Sequence, residues 1–424
     1  MIAQEQGTFT KPLLLDNLLS DHENREYNSQ ISWSEMNRIE ITHQIEFAFE
    51  VTPCVALLGP RQCGKTTEAR EYAKCQRELA PQNYFDLENT RDVIRLQDPI
   101  LALSALSGLI VIDEVQIHPH LFKTLRVLID DKSLNQRYLI LGSASRQLLK
   151  QSSESLAGRI TYIEMGPFSY LETKQQQRIW IRGGFPLSFL AKNEEISFAW
   201  RKAYIKTYLE QDIPNLGIDI SPENLRRFWM MLAQSQGNIF NASDIGRSIG
   251  LSHKTIQHYA DILTGTFMVR QLKPWYENIA KRQVKSPKIY IRDTGIFHTL
   301  LDIKQHDELL VHPKLGASWE SFVLEQLINL HAASPEECYF WASHQGAELD
   351  LLIIKNDKRL GFEIKFNSSP QMTKSMHIVM DNLKLDKLVV IYPGTVDYLL
   401  AENIAVIGFE NYFFSNESQG ARSE

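Results

Sequence analysis

Residues 54–73 read CVALLGPRQCGKTTEAREYA and combine three features in a fixed order. The apolar run Cys54–Leu58 predicts a short buried strand. The glycine-rich pattern GPRQCGKT, residues 59–66, follows it, and the residues after it have helical periodicity. A loop of this kind between a strand and a helix N-terminus lets backbone N–H groups surround phosphate oxygens. The stretch therefore predicts an α/β domain that binds a nucleotide through a phosphate-binding loop (P-loop).

The loop residues have separate expected roles. Lys65 would reach the β and γ phosphates, and the Thr66 hydroxyl would hold Mg²⁺. The predicted nucleotide contacts are Gly59, Pro60, Arg61, Gln62, Cys63, Gly64, Lys65, Thr66 and Thr67. The expected cofactors are therefore ATP, with GTP as the other nucleotide that fits, and Mg²⁺.

A second apolar strand, Leu109–Ile112, ends in two acids. Asp113 would complete the Mg²⁺ shell, and Glu114 would polarise the attacking water. The pair predicts hydrolysis as well as binding. The alternative is a strand that merely has an acidic end.

A third strand, residues 137–142, has a polar tip in which Ser143 would orient the lytic water. Arg159 follows and would meet the γ phosphate, supplied within the chain or by a neighbouring subunit. The alternative for Arg159 is a surface salt bridge.

The composition is that of a globular protein with room for two to four domains, since 43% of its 424 residues are hydrophobic. The first thirty residues lack a signal-peptide pattern, and no apolar run approaches the length of a membrane span. We therefore expect a cytoplasmic protein without a membrane partner.

A basic segment, residues 223–300, lies within a chain of net charge −6: it has eleven Lys and Arg residues against five Asp and Glu residues. Asn241–Gly250 predicts a helix with an asparagine cap and a glycine stop, and Ser252 would cap a second helix, His253–Leu263. This spacing indicates a helix-turn-helix within a winged helix.

The open side of the second helix presents His253, Lys254, Gln257 and His258, and residues 270–292 contain seven Lys and Arg residues and one acid. Such a patch would neutralise nucleic-acid phosphates. The predicted contacts are His253, Lys254, Gln257, Lys281, Arg282 and Lys285, with DNA as the favoured partner. The alternatives are a protein-binding module and a solvated charged face.

The segment ELDLLIIKNDKRLGFEIKF, residues 348–366, predicts two strands around a turn. A two-residue loop would pair Asp350 with Glu363, and a four-residue loop would pair Asp350 with Lys365. Either even loop places all three on one sheet face, because side chains alternate with period two. An odd loop would separate them.

Two carboxylates on one face attract a cation between them, and their oxygens suit Mg²⁺ or Mn²⁺. Lys365 would orient water or stabilise a phosphoryl transition state. Glu320, in a predicted helix, would join Asp350 and Glu363 as a metal ligand. The arrangement predicts a phosphodiester-cleaving centre.

The whole chain resembles a prokaryotic family of AAA-type P-loop ATPases fused to a C-terminal domain of unknown function. The resemblance rests on GPRQCGKTT (59–67), LIVIDEVQ (109–116), GSAS (142–145), SLAGR (155–159), GPFSYLE (166–172), GGFP (183–186), YLEQDIP (208–214) and KSPKIYIRDTGI (285–296). It implies an ATPase core of the additional-strand type and a winged helix. It also implies a restriction-endonuclease-like α/β domain of the PD-(D/E)xK type, with Glu320, Asp350, Glu363 and Lys365 in its site.

The expected domains are an N-terminal extension (1–34), an ATPase domain (35–172), a helical connector (173–222), the winged helix (223–300), the nuclease-like domain (301–414) and a disordered tail (415–424). The leading hypothesis is an ATPase that couples nucleotide state to a DNA-binding winged helix and a nuclease-like domain, in defence or mobile-element biology, and that could form homo-oligomers. The alternatives are an ATP-switched interaction protein and a DNA-binding regulator with an inactive nuclease fold.

Overall fold

The computed structural model describes residues 36, 38–76, 80–145, 156–276, 284–343 and 346–420. Two sheets, one of five strands and one of eight, organise this part of the chain, with helices packed around them. The predicted α/β class is confirmed. The predicted N-terminal extension, residues 1–34, lies outside the described residues.

The first sheet carries the P-loop, and all its strand pairs are parallel. Its strands are β1 (Cys54–Leu58), β2 (Tyr84–Asp86), β3 (Gly108–Asp113), β4 (Gln136–Gly142) and β5 (Ile160–Glu164). Their order is β2-β3-β4-β1-β5. β4 therefore lies between β1 and β3, which is the extra strand that the family resemblance implies.

Helices cover both faces of this sheet, which explains why β1 is apolar and buried at every position. The helices are α1 (Ile39–Val51), α2 (Lys65–Gln76), α3 (Thr90–Arg95), α4 (Pro99–Ser104) and α5 (Leu121–Asp130), with 3₁₀ turns at Pro81–Asn83 and Val115–Ile117. Val55 and Leu57 of β1 pack against α1 and α2, whereas Ala56 packs in the cluster of α5.

The connector is helical, as predicted. Its elements are α6 (Tyr170–Thr173), α7 (Gln176–Arg182), α8 (Pro186–Phe189), α9 (Glu194–Thr207), a π-helical turn (Tyr208–Asp212) and α10 (Ile213–Asn215). Trp180 of α7 donates a hydrogen bond to the Ser318 hydroxyl at 2.9 Å, and its ring contacts Trp319. The connector thus packs into the core of the C-terminal half.

A basic module of three helices and a hairpin follows. It consists of α11 (Pro222–Gln234), α12 (Ala242–Ile249), α13 (His253–Gly265), β6 (Val269–Pro274) and β7 (Lys288–Ile291). The predicted caps are confirmed: Asn241 accepts two backbone N–H bonds, Gly250 ends α12 in the left-handed conformation, and Ser252 caps α13. Residues 277–283, between β6 and β7, lie outside the described residues.

The second sheet extends from the basic module to the C-terminal region. Its other strands are β8 (Cys338–Ala342), β9 (Glu348–Lys355), β10 (Lys358–Ile364), β11 (Lys387–Tyr392), β12 (Tyr398–Ala401) and β13 (Ile404–Gly408). The order is β12-β13-β11-β10-β9-β8-β6-β7, and β6 pairs with β8 in parallel. The predicted boundary between a winged helix (223–300) and a nuclease-like domain (301–414) therefore divides strands of one sheet, with β6 and β7 on one side of it and β8 to β13 on the other.

The remaining helices are α14 (Thr294–Leu300), α15 (His306–Leu310), α16 (Leu315–Leu330), α17 (Lys374–Leu383) and α18 (Phe409–Gly420). The predicted disordered tail is wrong for residues 415–420, because α18 continues through them after Phe409 and Phe413 pack into the core. Residues 421–424 are outside the described part. No helix in the described ranges is both long and apolar enough to span a membrane.

Candidate functional site

The P-loop connects the end of β1 to the start of α2, as the sequence predicts. Gly59 has no room for a side chain, since a Cβ there would lie 2.0 Å from the carbonyl oxygen of Met165. The buried Lys65 ammonium donates to the carbonyl oxygens of Gly59 at 2.9 Å and Pro60 at 2.8 Å. The lysine is therefore held at the loop, where phosphate oxygens can replace these carbonyls.

Thr66 and Asp113 meet across α2 and β3. The Thr66 hydroxyl donates to Asp113 Oδ2 at 2.7 Å, and the Tyr84 hydroxyl donates to the same oxygen at 2.8 Å. A hydroxyl and a carboxylate oxygen are hard ligands of the kind that Mg²⁺ prefers. The two predicted ligands thus fit a magnesium ion beside the P-loop.

Glu114 and Ser143 also come together, at the ends of neighbouring strands. The Gln116 amide donates to the Glu114 carboxylate and, at 2.8 Å, to the Ser143 hydroxyl; Ser143 Oγ lies 3.3 Å from Glu114 Oε2. Burial raises the pKa of Glu114 above the ordinary carboxyl value, although Lys65 acts in the opposite direction. A carboxylate with a raised pKa is a better proton acceptor.

Arg159 does not lie near the P-loop, so its predicted place at the γ phosphate of its own chain is wrong. β5 runs parallel to β1 with Ile160 beside Cys54, which puts Arg159 at the end of the sheet opposite the loop. Its guanidinium pairs with both carboxylate oxygens of Asp130, at 2.6 and 2.9 Å. The alternative, a surface salt bridge, describes this contact.

A different arginine links the P-loop to the connector. Arg61 pairs with Asp212 at 2.5 Å and with Glu88, and the Tyr204 hydroxyl donates to its carbonyl oxygen at 3.3 Å. Asp212 ends the π-helical turn, a distortion that is frequent at functional sites. Asp212 lies in the motif YLEQDIP (208–214), but nothing in the motif itself indicates a contact with the P-loop.

Arg38 is a second residue that sequence reasoning missed. Its guanidinium donates to the Cys63 carbonyl oxygen at 3.2 Å and to the Gly166 carbonyl oxygen at 3.0 Å, and it pairs with Glu172. It therefore fixes the back of the P-loop. A single arginine before a helix gives no recognisable motif.

In the basic module, the side chains of His253, Lys254 and His258 are exposed on α13, and Gln257 is half-buried with a hydrogen bond to Asp261 at 3.2 Å. Their predicted position on the open side of the helix is confirmed. Lys285 is exposed as well, whereas Lys281 and Arg282 lie outside the described residues.

Three cations of the predicted basic patch are engaged in internal ion pairs. Arg270 pairs with Glu325 of α16, and Arg292 pairs with Glu164 at 2.7 Å and with Glu325 at 3.3 Å. Lys288 points into a group of carboxylates described below. The expectation that the whole patch faces nucleic acid is wrong for these three, because burial and pairing take them from the surface.

The hairpin of β9 and β10 has the shorter of the two predicted loops. Asn356 and Asp357 both have positive φ, at 50° and 61°, as a two-residue type I′ turn requires. The register pairs Leu351 with Phe362, so Asp350 faces Glu363 across the strands. The two acids therefore share one sheet face, as predicted.

Four carboxylates and two lysines meet on this face. We name the carboxylates the acidic cluster: Glu320, Glu348, Asp350 and Glu363. Lys365 Nζ lies 2.7 Å from Glu363 Oε1, and the Tyr290 hydroxyl donates to Glu320 at 2.6 Å. Lys288 Nζ lies 3.8 Å from both Glu320 and Asp350 and pairs with Glu348.

The predicted Mg²⁺ or Mn²⁺ site at Glu320, Asp350 and Glu363 stays a prediction, although the structure places these acids together. Within the described ranges, no three His, Cys, Asp or Glu side chains are grouped as a metal ion would require. Two lysines supply positive charge to these acids. Lys288 was counted in the basic patch of residues 270–292, and Lys365 was predicted to be catalytic.

We expect Glu363→Gln to change stability in a pH-dependent way. Burial, followed by the charge of Asp350, raises the pKa of Glu363 above its ordinary 4.5, although Lys365 opposes this. The native state therefore keeps a proton that the unfolded chain releases, and this contribution is lost as pH rises above 4.5 towards the raised value. Wild type should therefore lose stability as pH rises from 5 to 8, and the variant should lose less. Thermal unfolding at both pH values measures this difference.

The matched control for this prediction is Glu402→Gln, in the exposed turn between β12 and β13. Its stability relative to wild type should be the same at both pH values. If the stability difference between Glu363→Gln and wild type is also independent of pH, the pKa of Glu363 is not raised in the native state.

A protein-family model agrees with the nucleotide site. The AAA domain model matches residues 51–174, and two domains of unknown function, DUF8612 and DUF4143, match residues 173–307 and 315–412. The Walker-type ATPase PABY2304 of Pyrococcus abyssi is similar in structure, with a TM-score of 0.43 and 14% identity over 63% of this chain and 96% of that one.

Two curated relatives match nearly the whole length. Uncharacterized protein Mb2031c of Mycobacterium bovis and Uncharacterized protein Rv2008c of Mycobacterium tuberculosis are each 44% identical over 390 residues, which is 92% of this chain and 87% of theirs. The chain therefore belongs to the same family as these two mycobacterial proteins, and residues 51–174 are its AAA domain, of the P-loop ATPase class.

Proposed function

We propose that the protein hydrolyses ATP and uses its nucleotide state to control nucleic-acid binding by the basic module. In hydrolysis, Lys65 binds the β and γ phosphates, and Glu114 accepts the proton of the attacking water. Ser143 and Gln116 orient Glu114. Thr66 and Asp113 would hold Mg²⁺, which would neutralise charge at the phosphates when bound.

One contact carries the coupling part of the proposal. The backbone N–H of Ser145, two residues after Ser143, donates to the carbonyl oxygen of Gly265 at 2.8 Å. Gly265 is the last residue of α13, the helix that presents His253 and Lys254. A shift at the tip of β4 during hydrolysis would therefore reach the candidate DNA-binding helix directly.

Packing supports the same connection. Phe267, just after α13, is buried in the hydrophobic cluster of the AAA domain, together with residues of β3, β4 and α5. We infer a winged helix from the order of α11, α12, α13, β6 and β7, in which α13 would lie in the major groove of DNA.

If the basic module binds DNA, removing its exposed cations should change how DNA affinity depends on salt concentration. Lys254→Ala combined with Lys285→Ala removes two exposed cations, so affinity for duplex DNA should fall and the slope of log K against log salt should decrease by up to about two. Fluorescence anisotropy at several salt concentrations measures both quantities.

The matched control is Lys374→Ala, which removes an exposed lysine of the C-terminal region. It should leave affinity and slope unchanged. If the double variant binds DNA like wild type at every salt concentration, the module is a protein-binding or solvated surface, as in the interaction-protein alternative.

A second candidate function is metal-dependent phosphodiester cleavage by the C-terminal sheet. The observation in its favour is the placement of Asp350, Glu363 and Lys365 on one face beside Glu320. Incubation with DNA and RNA in the presence of Mg²⁺ or Mn²⁺ tests it, with Asp350→Asn as the control that should abolish any cleavage.

A further inference from the structure

Lys288 lies among three carboxylates of the acidic cluster. Its ammonium lies 3.8 Å from a carboxylate oxygen of Glu320 and 3.8 Å from one of Asp350, and it pairs with Glu348. The side chain is only 5% exposed. The gap between Glu320 and Asp350, where a shared metal ion would sit, is thus filled by a cation of the chain itself.

The surroundings of Lys288 favour its positive charge. The ammonium faces three carboxylates, those of Glu320, Glu348 and Asp350. The ring of Phe340, with its centroid 5.6 Å from Nζ, adds a cation–π contact. The ammonium is therefore stabilised from several sides by groups that attract a cation.

The cation comes from a different part of the chain than the acids. Lys288 is the first residue of β7 in the basic module, whereas Asp350 and Glu348 lie on β9 and Glu320 lies on α16. Ile289, Tyr290 and Ile291 are buried, and Lys288 also forms a bridge with Ile239. The strand is fixed along its length, so the ammonium is held where it is.

We propose that Lys288 is a built-in counter-ion that occupies the acidic cluster and keeps divalent cations out of it. The proposal rests on the second candidate function for the arrangement of these carboxylates, and it adds that the site can bind metal and cleave only when Lys288 has left the cluster. A metal ion bridging Glu320 and Asp350 would need the space that Nζ fills, and its two positive charges would repel the ammonium. Metal binding therefore requires the removal of Lys288 from the cluster.

The test is a titration of the nucleotide-free protein with Mn²⁺. Electron paramagnetic resonance measures the concentration of free Mn²⁺ at each step. Wild type and Asp350→Asn should bind the same amount of Mn²⁺, because the cluster of wild type is closed to it. Lys288→Gln should gain one site, with affinity at least tenfold above any binding by wild type. Lys288→Gln with Asp350→Asn should lose that site again.

Two further variants control for folding, which thermal unfolding monitors. Lys288→Arg keeps the charge and should bind no additional Mn²⁺. Lys288→Gln with Glu348→Gln restores the local charge balance and leaves Glu320, Asp350 and Glu363 in place, so it should gain the site even if the single variant does not fold.

Two results would overturn the proposal. They differ in whether they also exclude the second candidate function, metal-dependent cleavage. Mn²⁺ binding by wild type that Asp350→Asn abolishes would show that Lys288 does not exclude metal, while leaving the cleavage candidate standing. Absence of a new site in every folded variant that lacks the Lys288 charge would remove both the proposal and the cleavage candidate. Neither result bears on ATP hydrolysis.

Discussion

Glu114→Gln should bind ATP with near-normal affinity and hydrolyse it about 10²–10⁴ times more slowly than wild type. The carboxylate lies at the end of β3 beside Asp113, and Gln116 and Ser143 hold it in place. A glutamine keeps the size and much of the hydrogen bonding but cannot accept the proton of the attacking water. Phosphate release under saturating ATP and a separate binding titration measure the two effects.

The control for this variant is Glu71→Gln, an exposed glutamate of α2 whose partner is Lys74. It should leave both turnover and binding unchanged. Normal turnover in Glu114→Gln would exclude this residue as the base. If ATP affinity falls as much as turnover does, Glu114 contributes to nucleotide binding instead of proton transfer.

Lys65→Ala should weaken ATP binding by about 100-fold or more. Lys65 donates at least two hydrogen bonds to the loop, and we expect phosphate oxygens to take them over. Hydrogen bonds to charged groups contribute about 1.5–3 kcal/mol each, so the loss of two gives an effect of this size. Titration with a fluorescent ATP analogue measures it.

Lys74→Ala is the matched control, since Lys74 is an exposed lysine at the other end of the same helix. Its ATP affinity should equal that of wild type. If Lys65→Ala binds ATP within a fewfold of wild type, the loop does not hold the phosphates as proposed.

The parts of the fold that depend on local sequence were predictable. The P-loop needs only a strand, a glycine-rich loop and a helix in succession, and the caps of α12 and α13 depend on residues next to the helix ends. The shared face of the hairpin acids was also predictable, but its register was not: the sequence left a two-residue and a four-residue loop open, and the positive φ of Asn356 and Asp357 selects the shorter one.

The parts that depend on which strands become neighbours were not predictable. Arg159 is far from the loop because β5 pairs with β1 in a register that places it at the opposite end of the sheet. The charge count of residues 270–292 could not show that Arg270 and Lys288 are buried and that Arg292 is half-buried in ion pairs. Their partners come from sequence positions as distant as Glu164 and Asp350.

We propose that the contact of Ser145 with Gly265 couples nucleotide state to nucleic-acid binding. Reciprocity between binding sites gives a strict check, since DNA must then change ATP affinity by the same factor by which ATP changes DNA affinity. Glu114→Gln suits this experiment because it should hold ATP without consuming it, and Lys65→Ala provides the state that cannot bind ATP.

The most direct measurement is the affinity of Glu114→Gln for a labelled DNA duplex, by fluorescence anisotropy, with and without ATP and Mg²⁺. We predict that ATP changes the Kd by at least about fivefold, as expected for a coupled pair of sites, and that the same addition leaves the Kd of Lys65→Ala unchanged. A Kd that is identical with and without ATP, or the absence of DNA binding in both states, would contradict the account.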